Sequence, residues 1–125
     1  MSSLEQLSSE KYVLLTTFRK DGRAVPTPIW AVPDPDGPAV WTPRDSGKVK
    51  RIRNSGRVTV APCDVRGNPS GEAVEGRARI GDEADRLRIG KALTRKYGLT
   101  GWAVLLGSRL RRGVHGTVAV LIEAV

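Results

Sequence analysis

Apolar positions in the first two-thirds of the chain fall in short runs that favour extended backbone, and after that they spread to a helical period. The run YVLLTTF (Tyr12–Phe18) is rich in β-branched and aromatic residues and predicts a strand. KDGR (Lys20–Arg23) contains Asp-Gly, a strong hairpin signal, and predicts a return strand, AVPTPIWAV, over Ala24–Val32. PDPDGP (Pro33–Pro38) reads as a second turn leading to a short strand at Ala39–Thr42. A basic stretch follows, then a strand at Arg57–Cys63, a loop at Val65–Gly71 and a strand at Glu72–Ile80. In that last strand Val74, Ala78 and Ile80 point inward while Glu75, Arg77 and Arg79 point outward.

From Asp82 the pattern changes. Acidic residues open a segment that ends on Gly98, and Ile89, Ala92, Leu93 and Tyr97 form one stripe, which predicts a helix. Trp102, Leu105, Leu106 and Leu110 continue near helical spacing, with Arg109, Arg111 and Arg112 trailing, and TVAVLIEAV is a final strand. The whole chain, 1–125, reads as a single domain of mainly β class: a six-stranded antiparallel barrel with helical additions. A chain of 125 residues buries roughly two-thirds of its unfolded surface, so it needs no metal or disulfide to hold a core.

Two stretches carry candidate chemistry. In the return strand Pro26 and Pro28 lie two apart, so their missing amide hydrogens fall along one edge, and Trp30 projects from the same face. That edge is either protected against further pairing or open to a flat ligand. In SGKVKRIRNSGR (Ser46–Arg57), Asp45 or Ser46 can cap a short helix, Val49 and Ile52 anchor it, and Gly56 helps end it. Lys48 then falls in the first turn, where the helix dipole disfavours a cation unless an anion is also present. Gly47 lets a ligand approach the backbone; the competing reading is a solvated basic helix.

Charge sharpens the choice of partner. Lys and Arg number 21 against 13 Asp and Glu, a formal charge of +8, which favours phosphorylated cofactors, nucleic acid or an acidic membrane surface. Only 5% of residues are aromatic and no glycine-aromatic run is present, which argues against nucleic acid. No apolar run is long enough to span a membrane, and the N-terminus lacks a signal-peptide pattern, so the expected location is the cytoplasm. A lone cysteine, Cys63, rules out an internal disulfide and a cysteine zinc cage, and reads as a small buried residue. A lone histidine, His115, rules out a multi-histidine metal site and reads as a solvated loop residue. Glu72 and Glu75 fall on opposite strand faces and form no carboxylate pair, while Tyr97 reads as a core residue rather than a proton donor. No metal ligand is expected, and no catalytic acid or base can be named.

The order of the hairpin, WTPRDSGKVKRIR and NSGRVTV resembles the pyridoxamine-phosphate-oxidase-like split-barrel flavoproteins. Ser46, Lys48, Ile52, Asn54, Arg57 and Val58 match that pattern, and the resemblance runs from about Tyr12 to Ile80. PTPIW, WTPRDSGKVKRIR and VAPCDVRG together are similar to the branch that uses the deazaflavin coenzyme F420. The resemblance implies a split barrel, a homodimer with cofactor sites at its interface, and hydride transfer between F420 and a small organic substrate. Gly47 stands where oxidases using flavin mononucleotide (FMN) commonly have arginine, which implies the larger deazaflavin, with FMN as the alternative cofactor. The same resemblance puts Ser46 and Lys48 at the phosphate and Lys50, Arg51 and Arg53 along the anionic tail. It puts Pro26, Thr27, Pro28, Trp41 and Thr42 beside the ring, with Trp30 close by. The rival functions are a non-catalytic carrier of flavin, haem or another tetrapyrrole, and a basic nucleic-acid-binding barrel.

Overall fold

The computed structural model describes residues 4–35, 37–112 and 116–125; His115 and Gly113 lie outside them, as do the side chains of Leu105, Leu106 and Leu110. Tyr12–Phe18 forms β1, and the hairpin at Asp21-Gly22 returns the chain as β2 (Ala24–Ile29) in register Val13↔Ile29 to Phe18↔Ala24. The return strand does not run on to Val32. It breaks at Trp30, and Ala31–Asp34 forms a separate strand, β3, paired with β4 (Gly37–Pro43) from Ala31↔Val40 to Asp34↔Gly37. The sheet therefore has seven strands where six were expected. The break has a physical cause. Beyond Ile29 only Tyr12 remains of β1 to pair with, and the Trp30 ring leaves the ladder to stack on Tyr97, with centroids 4.2 Å apart and planes 8° from parallel.

β5 (Arg57–Cys63), β6 (Val74–Ile80) and β7 (Thr117–Ala124) complete an all-antiparallel sheet in the order β2-β1-β5-β6-β7-β4-β3. β2 and β3 stand at opposite edges yet are joined through Trp30 alone, so the sheet must curl until its two edges meet. This is the geometry of a split barrel. Its interior is filled by the inward face of alternating strands, among them Val13, Leu15, Val40, Val58, Val60, Val118 and Val120, all 2% exposed or less. The β3–β4 turn ends on Gly37 at φ 150°, where a Cβ would collide with the Ile122 carbonyl oxygen of β7.

Two short helices close the barrel. A four-residue helix at the N-terminus, α1 (Leu4–Leu7), inserts Leu4 and Leu7 into the interior core. The basic helix forms as the capping signals predict: α2 spans Gly47–Asn54, Ser46 is its N-cap, and Val49 and Ile52 are its buried anchors. The third helix, α3 (Glu83–Arg112), lies on the outside and covers a second core of Val32, Ala39, Ile89, Leu93, Ala119 and Leu121. β7 is thus buried on both faces, which is why TVAVLI reads as a continuous apolar run.

α3 is fastened to the barrel along its first half. Arg88 grips Asp34 through two hydrogen bonds of 2.9 and 3.1 Å, and also reaches Asp85 at 2.9 Å. The Lys96 ammonium donates to the carbonyl oxygens of Ser8, Glu10 and Ala31 at 2.7, 2.5 and 2.5 Å. Tyr97 Oη sits 2.7 Å from Lys11 O and 3.1 Å from Ala31 O. At Gly98 the backbone leaves helical geometry (φ 61°, ψ −135°), as the sequence expectation of a helix end there requires. The helical segment beyond it exposes Leu99 and Trp102 to solvent.

Candidate functional site

α2 begins where β4 ends, and the join is held by hydroxyls. Ser46 Oγ accepts from the Val49 amide at 3.3 Å and lies 3.4 Å from Thr42 Oγ1, which is buried on the inward face of β4. The first turn of α2 contains no acidic residue, and Arg51 folds back over it from the second. A Cβ on Gly47 would stand 2.8 Å from Arg51 Nη1, so glycine there makes room for the guanidinium as well as for any ligand. Arg51 Nε donates to Thr17 Oγ1 at 2.6 Å, a contact that joins α2 to β1.

The electrostatics of this corner are one-sided. Among the described residues no carboxylate pairs with Lys48, Lys50, Arg51 or Arg53. Lys48 is half-buried rather than fully solvated, and burial, then the neighbouring Arg51, push its amine below the usual lysine range. Burial and then Arg19 likewise lower Arg51. A cleft of about 430 Å³ opens here between α2 and the β1–β2 hairpin, lined by Phe18, Arg19, Lys20, Arg23, Gly47, Lys50 and Arg51 with Asn54. The acid in this lining, Asp21, is engaged with Arg23 at 2.8 Å.

The other expected residues gather elsewhere. Pro28, Trp30 and Trp41 line a second cleft of about 280 Å³ with Tyr12, Ile29, Leu93 and Val104. Trp41 lies on the outer face of β4 under α3, so close that a Cβ on Gly90 would meet its ring at 3.5 Å. Its Nε1 is buried without a hydrogen-bond partner among the described residues. Pro26 is exposed and Thr27 half-buried on β2, which is an edge strand as the paired prolines require; neither lines either of these two clefts, nor do Ser46, Lys48 and Thr42. Tyr12 and Phe18 mark the two clefts at opposite ends of β1, a separation of about 20 Å at ~3.3 Å per residue.

Sequence reasoning missed Thr17 and the hairpin cations Arg19, Lys20 and Arg23. The signal for the cations was present in FRKDGR, where three basic residues flank the Asp-Gly turn, but nothing local says that the hairpin tip faces α2. Tyr97 belongs to the core as expected, its phenol pushed up to about 12 chiefly by burial. Cys63 is partly exposed rather than buried, with its thiol raised by partial burial and by Asp64. No helix among the described residues is long and apolar enough to cross a membrane.

Comparison with known proteins adds three findings. The pyridoxamine 5'-phosphate oxidase family model matches residues 3–123. No curated protein matches the chain. Among solved structures, conserved hypothetical protein Rv2991 from Mycobacterium tuberculosis superposes with a TM-score of 0.73 at 22% identity, over 99% of this chain and 81% of that one. An F420 reductase superposes with a TM-score of 0.62 at 17% identity, over 100% and 95%. HutZ, a haem storage protein from Vibrio cholerae, gives 0.70 at 9% identity, over 95% and 84%. At these identities the likeness is one of fold.

Proposed function

The chain belongs to the pyridoxamine 5'-phosphate oxidase family, and from that premise we propose that it is a cytoplasmic oxidoreductase dependent on the deazaflavin coenzyme F420, working as a two-fold dimer on a small organic substrate. The observation that carries this reading is the cationic stretch of α2: Lys48, Lys50 and Arg51 near a capped helix start and Arg53 in the last turn, none paired with a carboxylate among the described residues. A phosphodiester with a carboxylate-bearing tail fits that donor set. Ser46, the α2 amides and Lys48 hold the phosphate; Lys50 and Arg51, with Arg19 and Arg23 across the cleft, hold the tail.

Bound there, the deazaflavin supplies the hydride chemistry, and the protein's part is to hold it and shape its surroundings. β2 offers an edge whose prolines keep another strand from docking, which leaves Pro26, Thr27 and Pro28 free to flank a flat ring. Thr17 fixes the Arg51 guanidinium, so that one cation of the cluster is already in position before a ligand arrives. Tyr97 keeps a structural part, its hydroxyl engaged by the backbone carbonyl oxygens of Lys11 and Ala31.

Titration of the purified protein with F420 and with FMN, followed by fluorescence quenching, tests the reading. The expected result is a colourless protein that binds F420 more tightly than FMN. Yellow protein carrying stoichiometric FMN would sink it. Light scattering at micromolar concentration should give a dimeric mass, with about 1,600 Å² or more buried between the copies.

A further inference from the structure

The loop between β5 and β6 is folded around one carboxylate. Asp64 Oδ1 accepts from the backbone amides of Arg66 and Asn68, both at 2.9 Å, and Oδ2 accepts from the Asn68 side-chain amide at 3.1 Å. Asp64 N donates to Asn68 O at 3.1 Å and Gly67 N to Asp64 O at 3.0 Å, while Ser70 N donates to Pro62 O at 2.8 Å and pins the far side. These amides, those of Asn68 first, hold the Asp64 carboxyl below the usual aspartate range, so it is a charged acceptor at neutral pH. At the tip Gly67 has φ 88°, and a Cβ there would stand 3.5 Å from Leu14 Cδ1 and from Cγ and Cδ of Pro28. The loop therefore reaches from β5 across β1 to the edge strand β2. Leu14 and Pro28 are partners in the β1–β2 register, so Gly67 rests on a cross-strand pair.

That contact falls where β2 is least supported. β2 bonds to one neighbour, β1, and ends one residue after Pro28, which has no amide hydrogen of its own to give. The end of an edge strand opens easily unless something packs on it. We propose that Asp64 is a positioning residue for the cofactor ring: by fixing the loop it seats Gly67 on Leu14 and Pro28, and so holds still the part of β2 that flanks the ring. Asp64 acts through Pro28, and its effect belongs to the ring rather than to the phosphate or the tail. The inference rests on the F420 reading and adds to it a residue outside both clefts.

Two probes separate ring from tail: F420 itself, and a deazaflavin that keeps the ribityl chain but lacks the phosphate and tail. Both are titrated by fluorescence into the wild type, Asp64→Ala, Asp64→Asn and Lys48→Ala. Asp64→Ala should weaken both probes by the same factor, about tenfold, as the ring loses a fixed surface. Lys48→Ala should weaken F420 and leave the tail-less deazaflavin as it was. Asp64→Asn keeps an oxygen for the two backbone amides, and the Asn68 amide can turn to face it, so both affinities should stay within about threefold of the wild type. Hydrogen exchange on the cofactor-free proteins should be faster at Thr27 and Ile29 in Asp64→Ala, with α2 unchanged. Wild-type affinities in Asp64→Ala, or a loss for F420 alone, would overturn the proposal and leave the F420 reading standing. So would Asp64→Asn binding as weakly as Asp64→Ala, which would assign the effect to the negative charge rather than to the turn. A wild type that binds neither probe would defeat the F420 reading and this inference with it.

Discussion

Arg51 Nε donates to Thr17 Oγ1 across 2.6 Å, tying the second turn of α2 to the last buried position of β1. Thr17→Val keeps the buried shape and removes the acceptor. Because Arg51 is partly exposed, its Nε can turn to water, so stability should change by no more than about 1 kcal/mol. F420 binding should weaken about tenfold as the guanidinium loses its fixed position. Chemical denaturation and fluorescence titration of the same sample measure the two effects; unchanged affinity would mean that Arg51 is not part of the site.

Lys48→Ala should weaken F420 roughly ten- to a hundredfold, the range expected when a charge-assisted hydrogen bond to a phosphate is lost. The melting temperature should stay within about 3 °C, since the variant trades some half-buried methylene contact for relief from the neighbouring Arg51. Lys50→Ala is the control on the opposite side of the helix and should cost less.

The same lysine predicts a dependence on pH. Its folded pKa lies below 10.5, lowered first by burial and then by Arg51, so in the folded state it loses its proton before the unfolded chain does. Between those two values the unfolded state holds more protons, and stability contributed by this group rises with pH. Melting curves of the wild type and Lys48→Ala, taken at steps up to pH 10.5, should show the wild type gaining on the variant through that window. A difference independent of pH would show that Lys48 is not strained.

Lys96→Met should destabilise the protein by about 2 kcal/mol, because three backbone carbonyls lose a charged donor at once. The loss should be local as well as global. Hydrogen exchange should speed up in α1 and the segment before β1, which Lys96 ties to β3 through Ser8 and Glu10.

Gly98→Ala separates space from backbone strain. A Cβ there would have nothing within 4 Å, yet φ 61° with ψ −135° is a conformation that side chains avoid. Urea unfolding should report a loss of about 1–3 kcal/mol. A neutral or stabilising effect would mean that α3 runs straight through this position in solution.

Legibility in the sequence followed the range of the interactions. Strands β1, β5 and β6 and helix α2 were readable because alternation, the Ser46 cap and the Asp21-Gly22 turn act within a few residues. The break at Trp30 was not, since tryptophan is a good strand former and only its stack on Tyr97, 67 residues later, takes it out of the ladder. α1 was missed because four residues carry no period, and it is held by where Leu4 and Leu7 are buried. The site divides in the same way. Ser46 to Arg51 are neighbours in sequence and were found together, whereas Thr17, Arg19 and Arg23 join them only through the fold. The grouping of Pro28, Trp30 and Trp41 under α3, away from the cations, is likewise a tertiary fact.

The place of β7 in the strand order bears on how the chain is made. Without β7, the order β2-β1-β5-β6-β7-β4-β3 falls into two sheets with no ladder between them, β2-β1-β5-β6 and β4-β3, joined by the chain at Trp30 and through α2. A nascent chain that has not yet released Thr117–Ala124 from the ribosome therefore carries open strand edges on both β6 and β4. Those edges wait through the synthesis of all of α3 for the one segment that can bond to both. Closure therefore cannot precede the synthesis of β7, and until then the open edges of β6 and β4 are available for pairing with neighbouring chains on the same message.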